Sequence, residues 1–344
     1  MIDNHALYIR ADASERLGTG HVMRCLSLAQ GWMTHGDVTF VMALSDRAIR
    51  DRVTSTGAAI MEIEAEIGSE EDARLTALAC EGQLLVIDGY NFGPRYQSIV
   101  KESGACVLMV DDLAKDGPYS VDLLLNYNFY GRPELYPSIR DTHTLLLGPR
   151  YFLLRREFLT WKDVAKDIRP SVARVLVTLG GSDPQNFTPT VLSALDDLSM
   201  EVGEIKVVMG PSNSHLEDIC AQAERSPHHV DVLTNVRDMP SVMAWADLAI
   251  SGAGTTSLEL AYMGVPTIIV EVASNQKPNA QAISSLRLMK RAGWHDRVTV
   301  SQLATEVQAL NSNIVERRRM SAACREAVDG LGAERALQAL INTR

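Results

Sequence analysis

The chain has 344 residues, 46% hydrophobic and 22% charged, and a formal net charge of −10. That length suits two domains of roughly 100–200 residues each, and the composition is that of a globular chain able to bury a core without disulfides or metals. The acidic balance argues against a nucleic-acid partner, because phosphate backbones reward clustered Lys and Arg.

In chain order, ALYIRA at 6–11 reads as a strand, followed by a Gly-rich turn and a helix beginning near His21. VTFVMAL (38–44), a helix near 46–56, AIMEIE (59–64) and a helix near 70–80 lead to LLVIDGY (84–90). A helix near 94–103 then precedes ACVLMVDDL (105–113), LLLN (123–126) and HTLLLG (143–148). Continuous apolar strands between helices predict a mainly parallel sheet covered on both faces. The stretch 148–170 breaks this rhythm, and 151–170 is expected to connect two domains, 1–150 and 171–344. The alternation restarts with ARVLVTLGG (173–181), IKVVMG (205–210), HVDVLT (229–234), DLAIS (247–251) and PTIIVEV (266–272). Helices are expected between these strands, with one over 277–291 and a helical tail over 301–344. Two successive β/α series predict an α/β chain of two doubly wound, Rossmann-like domains facing a central cleft. The last helix is expected to pack back towards the first domain.

The five cysteines are odd in number and form no CxxC, so neither a disulfide framework nor a zinc site is expected. No metal-ligand spacing such as HExxH occurs, and no cofactor or metal is expected. The N-terminus lacks a signal-peptide pattern, and no apolar run nears the roughly 20 residues of a membrane helix. A cytoplasmic protein with no membrane span is therefore expected, its oligomeric state left open.

Doubly wound sheets bind ligands beyond the carboxyl ends of their strands. After the first strand, Gly18 and Gly20 bracket a turn into the helix that starts near His21. Helix N-termini favour anions and disfavour the imidazolium, so a neutral His21 is a candidate general base; a capping or structural role is the alternative. GTGHVM lacks the third glycine of the dinucleotide fingerprint, which disfavours a nicotinamide enzyme. Asp12, Asp88, Asp111 and Asp112 punctuate strand ends, and Tyr90 follows Asp88. Asp12 is expected to orient His21 or to contact a sugar substituent, and Asp88 and Tyr90 to bind substrate. In the second half, Gly180, Gly181 and Ser182 form one loop, and SGAGTTSLE opens another helix. Gly254, Thr255 and Thr256 suit a diphosphate at that helix start, and Glu259, one turn in, suits ribose hydroxyls. Asn275 and Gln276 are candidate sugar or phosphate contacts, with N-capping as the alternative.

The segment IRADASERLGTGHVMRCLSLAQ closely resembles the N-terminal motif of PseG-type UDP-sugar hydrolases of pseudaminic acid biosynthesis. The resemblance continues in order through VIDGY, VDDL, LGPRYFLLRREF, TLGGSDPQN, SGAGTTSLELAYMGVP and the NQ at 275–276. The SGAGTTSLE region is shared more loosely with MurG-type glycosyltransferases. This resemblance implies a GT-B fold and metal-independent, inverting hydrolysis of UDP-2,4-diacetamido-2,4,6-trideoxy-β-L-altropyranose. It puts the catalytic histidine at His21, the nucleotide-binding helix at 254–263 and the ribose contact at Glu259. The partner it implies is a small-molecule nucleotide sugar. A GT-B glycosyltransferase and a non-catalytic nucleotide-sugar binding protein are the alternatives.

Overall fold

The computed structural model describes residues 6–14, 19–114, 117–139, 143–181, 183–198, 203–210 and 213–343. The chain divides into two compact units, residues 1–159 with 330–344, and residues 160–329. In the first unit the order is β1 (Leu7–Ala11), α1 (Gly20–Trp32), β2 (Val38–Met42), α2 (Arg47–Thr54), β3 (Ala59–Glu62), α3 (Glu70–Ala79), β4 (Leu84–Asp88), α4 (Pro94–Glu102), β5 (Cys106–Val110), β6 (Leu123–Asn126), β7 (Thr144–Leu147) and α5 (Arg156–Leu159). The strands form one parallel sheet in the order β3-β2-β1-β4-β5-β6-β7. Every residue of β4 and β5 is buried, as expected of central strands covered on both faces. Local chemistry sets the helix starts. The side chains of Asp46 and Ser69 accept from the amides of Ile49 and Asp72, and Pro94 opens α4, where its missing N–H costs nothing.

The second unit comprises β8 (Arg174–Thr178), α6 (Thr188–Asp196), β9 (Glu204–Met209), α7 (Leu216–Ala223), β10 (His229–Thr234), α8 (Met239–Trp245), β11 (Leu248–Gly252), α9 (Thr255–Met263), β12 (Thr267–Glu271), α10 (Lys277–Ser285), β13 (Lys290–Trp294), α11 (Val300–Asn311) and α12 (Ile314–Ala327). Its sheet is also parallel, in the order β10-β9-β8-β11-β12-β13.

Two expectations change. The helix placed over 277–291 stops at Ser285, Arg287 takes the left-handed region at φ 55°, and β13 follows as an edge strand. KRAGW is polar, carries a glycine at φ 131° and pairs across a register shift at Ile269/Val270, so it offers none of the apolar alternation that marks an edge strand. The second correction concerns the tail, which does not belong as a whole to the domain drawn over 171–344. The last helix, α13 (Gly332–Thr343), buries Ala336, Leu337 and Leu340 against α1, β5 and β6 of the first unit. The fit is close enough that a Cβ on Gly31 would lie 2.8 Å from Leu337 Cδ1.

Candidate functional site

The first unit gathers its ionisable side chains at the carboxyl end of β4. Helix α1 presents His21, Arg24 and Cys25, spaced i, i+3 and i+4 and therefore on one face. All three meet Asp88, the last residue of β4. His21 Nδ1 lies 2.7 Å from Asp88 Oδ1, Arg24 Nε lies 2.5 Å from Oδ2 with its Nη2 on Oδ1, and the Cys25 thiol donates to Oδ2 at 3.3 Å. Asp88 is wholly buried. Burial opposes its charge, but the Arg24 guanidinium and then His21 outweigh this and hold the carboxyl down at about 2. In the tautomer with its proton on Nδ1, His21 donates to the Asp88 carboxylate; the same nitrogen also lies 3.0 Å from Arg24 Nη2. In that tautomer the other ring nitrogen, Nε2, carries the lone pair.

Arg24 also binds a second carboxylate. Its Nη1 donates to Asp112 Oδ2 at 2.6 Å and to the Tyr127 hydroxyl at 2.8 Å. Two carboxylates against one guanidinium leave a net negative charge beside the imidazole. That charge offsets the imidazolium formed whenever His21 takes a proton. The Tyr90 ring packs edge-on to His21, with centroids 4.7 Å apart.

Asp12 is placed differently from the expected orienting role. Its Oδ2 accepts from Arg10 at 2.6 Å, and its Oδ1 accepts from the amides of Ala43 and Leu44, both at 2.8 Å. The buried Arg10 also bridges to Asp72. Asp12 thus ties the end of β1 to the end of β2, and the carboxylate on His21 is Asp88. Gly20, the first residue of α1, has open space where a Cβ would stand. Gly18 lies outside the described residues.

In the second unit, β8 and β11 are paired neighbours, so the loops that follow them leave the same edge side by side. Gly180 takes φ 97°, and the Gly181 carbonyl accepts from the Gly210 amide at 2.8 Å. Asp183 caps the next helix through the amides of Phe187 and Thr188; Ser182 lies outside the described residues. After β11, Gly254 is the N-cap of α9 and supplies no side chain, so no side-chain cap occupies that helix start. Thr255 and Thr256 form its first turn, and Glu259 is buried one turn further on. Gln276 Oε1 accepts from the amides of Ala253 and Val272 at 3.2 and 3.1 Å, and its Nε2 lies 3.5 Å from where a Cβ on Gly252 or Gly254 would stand. Gln276 therefore braces the Gly252–Gly254 turn, while its neighbour Asn275 is exposed. Such a turn, with backbone amides at a helix start, is the local chemistry that receives a phosphate.

Sequence reasoning missed Arg24, Cys25, Tyr127 and Asn279. Asn279 is buried and donates to the Ala253 carbonyl at 2.9 Å. For Arg24 the i+3 spacing from His21 was an available signal. Tyr127 and Asn279 reach the sites only through tertiary pairing.

Comparison with known proteins follows this division. Residues 174–334 match the family model described as "Glycosyltransferase family 28 C-terminal domain". The spore coat polysaccharide biosynthesis protein SpsG of Bacillus subtilis is 24% identical over 330 residues, 94% of each chain. The UDP-2,4-diacetamido-2,4,6-trideoxy-beta-L-altropyranose hydrolase of Campylobacter jejuni is 28% identical over 214 residues, 61% of this chain and 71% of its own. Among solved structures, Acinetobacter baumannii MurG superposes with a TM-score of 0.70 at 16% identity, covering 98% of this chain and 99% of its own. The fold is GT-B, built from two parallel-sheet α/β domains of seven and six strands.

Proposed function

We propose that this GT-B protein hydrolyses a UDP-activated amino or deoxy sugar, releasing UDP and the free sugar. The second unit takes the nucleotide: the diphosphate at the Gly252–Gly254 turn and the first turn of α9, the ribose at Glu259. The first unit supplies the base. The observation that carries the reading is the His21–Asp88 contact at 2.7 Å, which supports an imidazole that donates from Nδ1 to a buried carboxylate and uses Nε2 as the base.

In the proposed step, Nε2 takes a proton from water as the water oxygen bonds to the anomeric carbon. The bond from that carbon to the diphosphate oxygen breaks, and its electron pair leaves with UDP. A diphosphate is already a stable anion, so one base serves where ordinary glycosidases need two carboxylates. The imidazolium is held by Asp88 until its proton passes to solvent. The substrate in the name of the Campylobacter jejuni relative, a diacetamido-trideoxy sugar on UDP, is the first to test.

The alternative is a transferase, in which an acceptor hydroxyl replaces water; the match of 174–334 to a glycosyltransferase domain favours it. A panel of UDP-sugars, assayed for free UDP with no acceptor added, separates the two. The hydrolase releases UDP from water alone. Release that appears only on adding an acceptor would establish the transferase. His21→Asn is expected to keep UDP affinity and to lose about 10²–10⁴-fold in turnover, the range for one general base.

A further inference from the structure

A cavity of about 410 Å³ opens in the second unit where α10 gives way to β13, against α11 and the start of α12. That volume falls within the roughly 300–1,000 Å³ of small-molecule sites. β13 begins there, so the cavity lies at the amino end of the parallel sheet, opposite the end that bears the Gly252–Gly254 turn after β11. The buried Met289, Leu310 and Met320 form its apolar side, and Ser284, Arg287 and Asn313 stand among its polar walls.

Three of its cations are matched. Lys290 pairs with Glu306 at 3.1 Å, Arg319 with Glu316 at 2.7 Å, and Arg291 with the buried Glu271. The fourth, Arg287, has no hydrogen-bond or ion-pair partner for its guanidinium among the described residues. It faces the same space as the others. The Glu316 carboxyl is held below its usual range by hydrogen bonds from Arg319 first, against desolvation, and then by the charges of Arg319, Arg287 and Lys290. Arg287 also stands where glycine is usual. It follows the C-cap of α10 at φ 55°, with its amide on the Ser284 carbonyl at 2.9 Å and the Leu288 amide on the Ile283 carbonyl at 3.0 Å. These two bonds close a helix through a left-handed residue, and a side chain there strains the backbone. Closing α10 therefore gives no reason for an arginine, whereas strain of this kind gathers at ligand clamps. Arg319 Nη2 holds the strained turn by donating to the Arg287 carbonyl at 2.7 Å.

We infer that this cavity is a second ligand site of the chain, for a small-molecule carboxylate, with the Arg287 guanidinium donating to both carboxylate oxygens and the Asn313 side-chain amide donating beside it. A guanidinium presents parallel N–H donors that match a carboxylate. Asn313 spends its Oδ1 on the Glu316 amide, which leaves its Nδ2 without a partner among the described residues. Charge selects the class. Four cations against Glu271, Glu306 and Glu316 leave one positive charge, which one carboxylate neutralises. A phosphate monoester, at about −1.5 to −2, brings excess negative charge against three carboxylates already in place. The buried apolar side chains take the body of the ligand. The site stands independently of the nucleotide reading above.

Saturation-transfer NMR on the full chain tests this without needing turnover. The probes are D-glucuronate, benzoate and mandelate, each beside its primary amide, with glucose 6-phosphate and inorganic phosphate as the phosphate arm. With saturating UDP present, at least one carboxylate is expected to bind tenfold or more tightly than its amide, and glucose 6-phosphate to bind more weakly than glucuronate. Arg287→Gly should lose that binding by tenfold or more while melting no lower than the wild type, since glycine suits the left-handed position. Asn313→Asp keeps the cap on α12 but sets a carboxylate against the ligand, and should lose the binding likewise. Carboxylates no tighter than amides in every pair, displacement by UDP, a preference for either phosphate, or binding that survives either substitution would overturn the inference. A melting midpoint lowered in Arg287→Gly would overturn it too, by giving the arginine a structural task at the end of α10.

Discussion

Asp88 accepts from three side chains of one helix, so replacing it acts on chemistry and on stability together. Asp88→Asn weakens the anchor that holds the His21 ring in its tautomer and leaves Arg24 short of a charge partner. Turnover should fall by about 10²–10⁴-fold, as when a buried carboxylate behind a catalytic histidine is neutralised. Stability should fall by about 3–5 kcal/mol, the usual cost of removing one member of a buried pair, read from urea midpoints at pH 7. The pH dependence has a definite sign. The folded Asp88 carboxyl is held below its ordinary 3.8, at about 2, by Arg24 and His21 against the cost of burial. A carboxyl depressed in this way contributes stability in full above its unfolded value and loses it as pH falls through the folded one. The contribution, about 2 kcal/mol, should therefore disappear between about pH 4 and pH 2 in the wild type. Asp88→Asn should show a flatter acid limb in that window, and equal slopes would remove Asp88 from the account. His21 was legible in the sequence because glycines and a helix start flank it. Asp12, near in the chain, was expected to orient it or to contact a sugar substituent, whereas the carboxylate that meets it lies 67 residues away and is brought in by the pairing of β1 with β4.

At the scale of elements, α9 joins two separable features. Its start bears the Gly252–Gly254 turn, and its end stops at Gly264 in the left-handed region, φ 66°. Gly264→Ala should cost about 1–2 kcal/mol from backbone conformation alone. The loss should be larger in practice, because the new Cβ would lie 2.8 Å from Ser321 Oγ and 2.9 Å from Arg325 Cδ on α12. A thermal melt reads the loss, and a neutral result would deny that contact. Glu259→Ala, by contrast, should weaken UDP binding by about 1–3 kcal/mol through a lost charged hydrogen bond; unchanged affinity would take Glu259 out of the nucleotide site. The β/α order was legible because twelve of the strands are short apolar or alternating runs between helical stretches. The thirteenth, KRAGW, was not, since an edge strand that pairs on one side carries little apolar signal.

At the scale of the whole molecule, the first unit is discontinuous, residues 1–159 being completed by 330–344. The return of the last helix to the first domain was expected from the sequence and is what the structure shows; that it covers β5 and β6 was not legible, because an amphipathic stripe does not name its partner. A chain ending at residue 329 loses the burial of Leu337 and Leu340, about 3–6 kcal/mol at 1.5–3 kcal/mol per leucine. Against a typical domain stability of about 5–15 kcal/mol, that leaves the first unit marginal. Of the four tryptophans only Trp32 lies in the first unit, where it is fully buried in α1, so a variant retaining Trp32 alone reports that unit's unfolding. Its midpoint should drop in the truncated chain while UDP affinity stays unchanged; an unmoved midpoint would mean α13 is dispensable. The same discontinuity sets an order on synthesis. When residue 159 leaves the ribosome the first sheet is complete but the face of α1 that meets Leu337 is bare, and 170 residues of the second unit must be made before its cover arrives. At about 5–20 residues per second that is a wait of roughly 10–30 s. The half that carries the histidine is thus translated first and closed last.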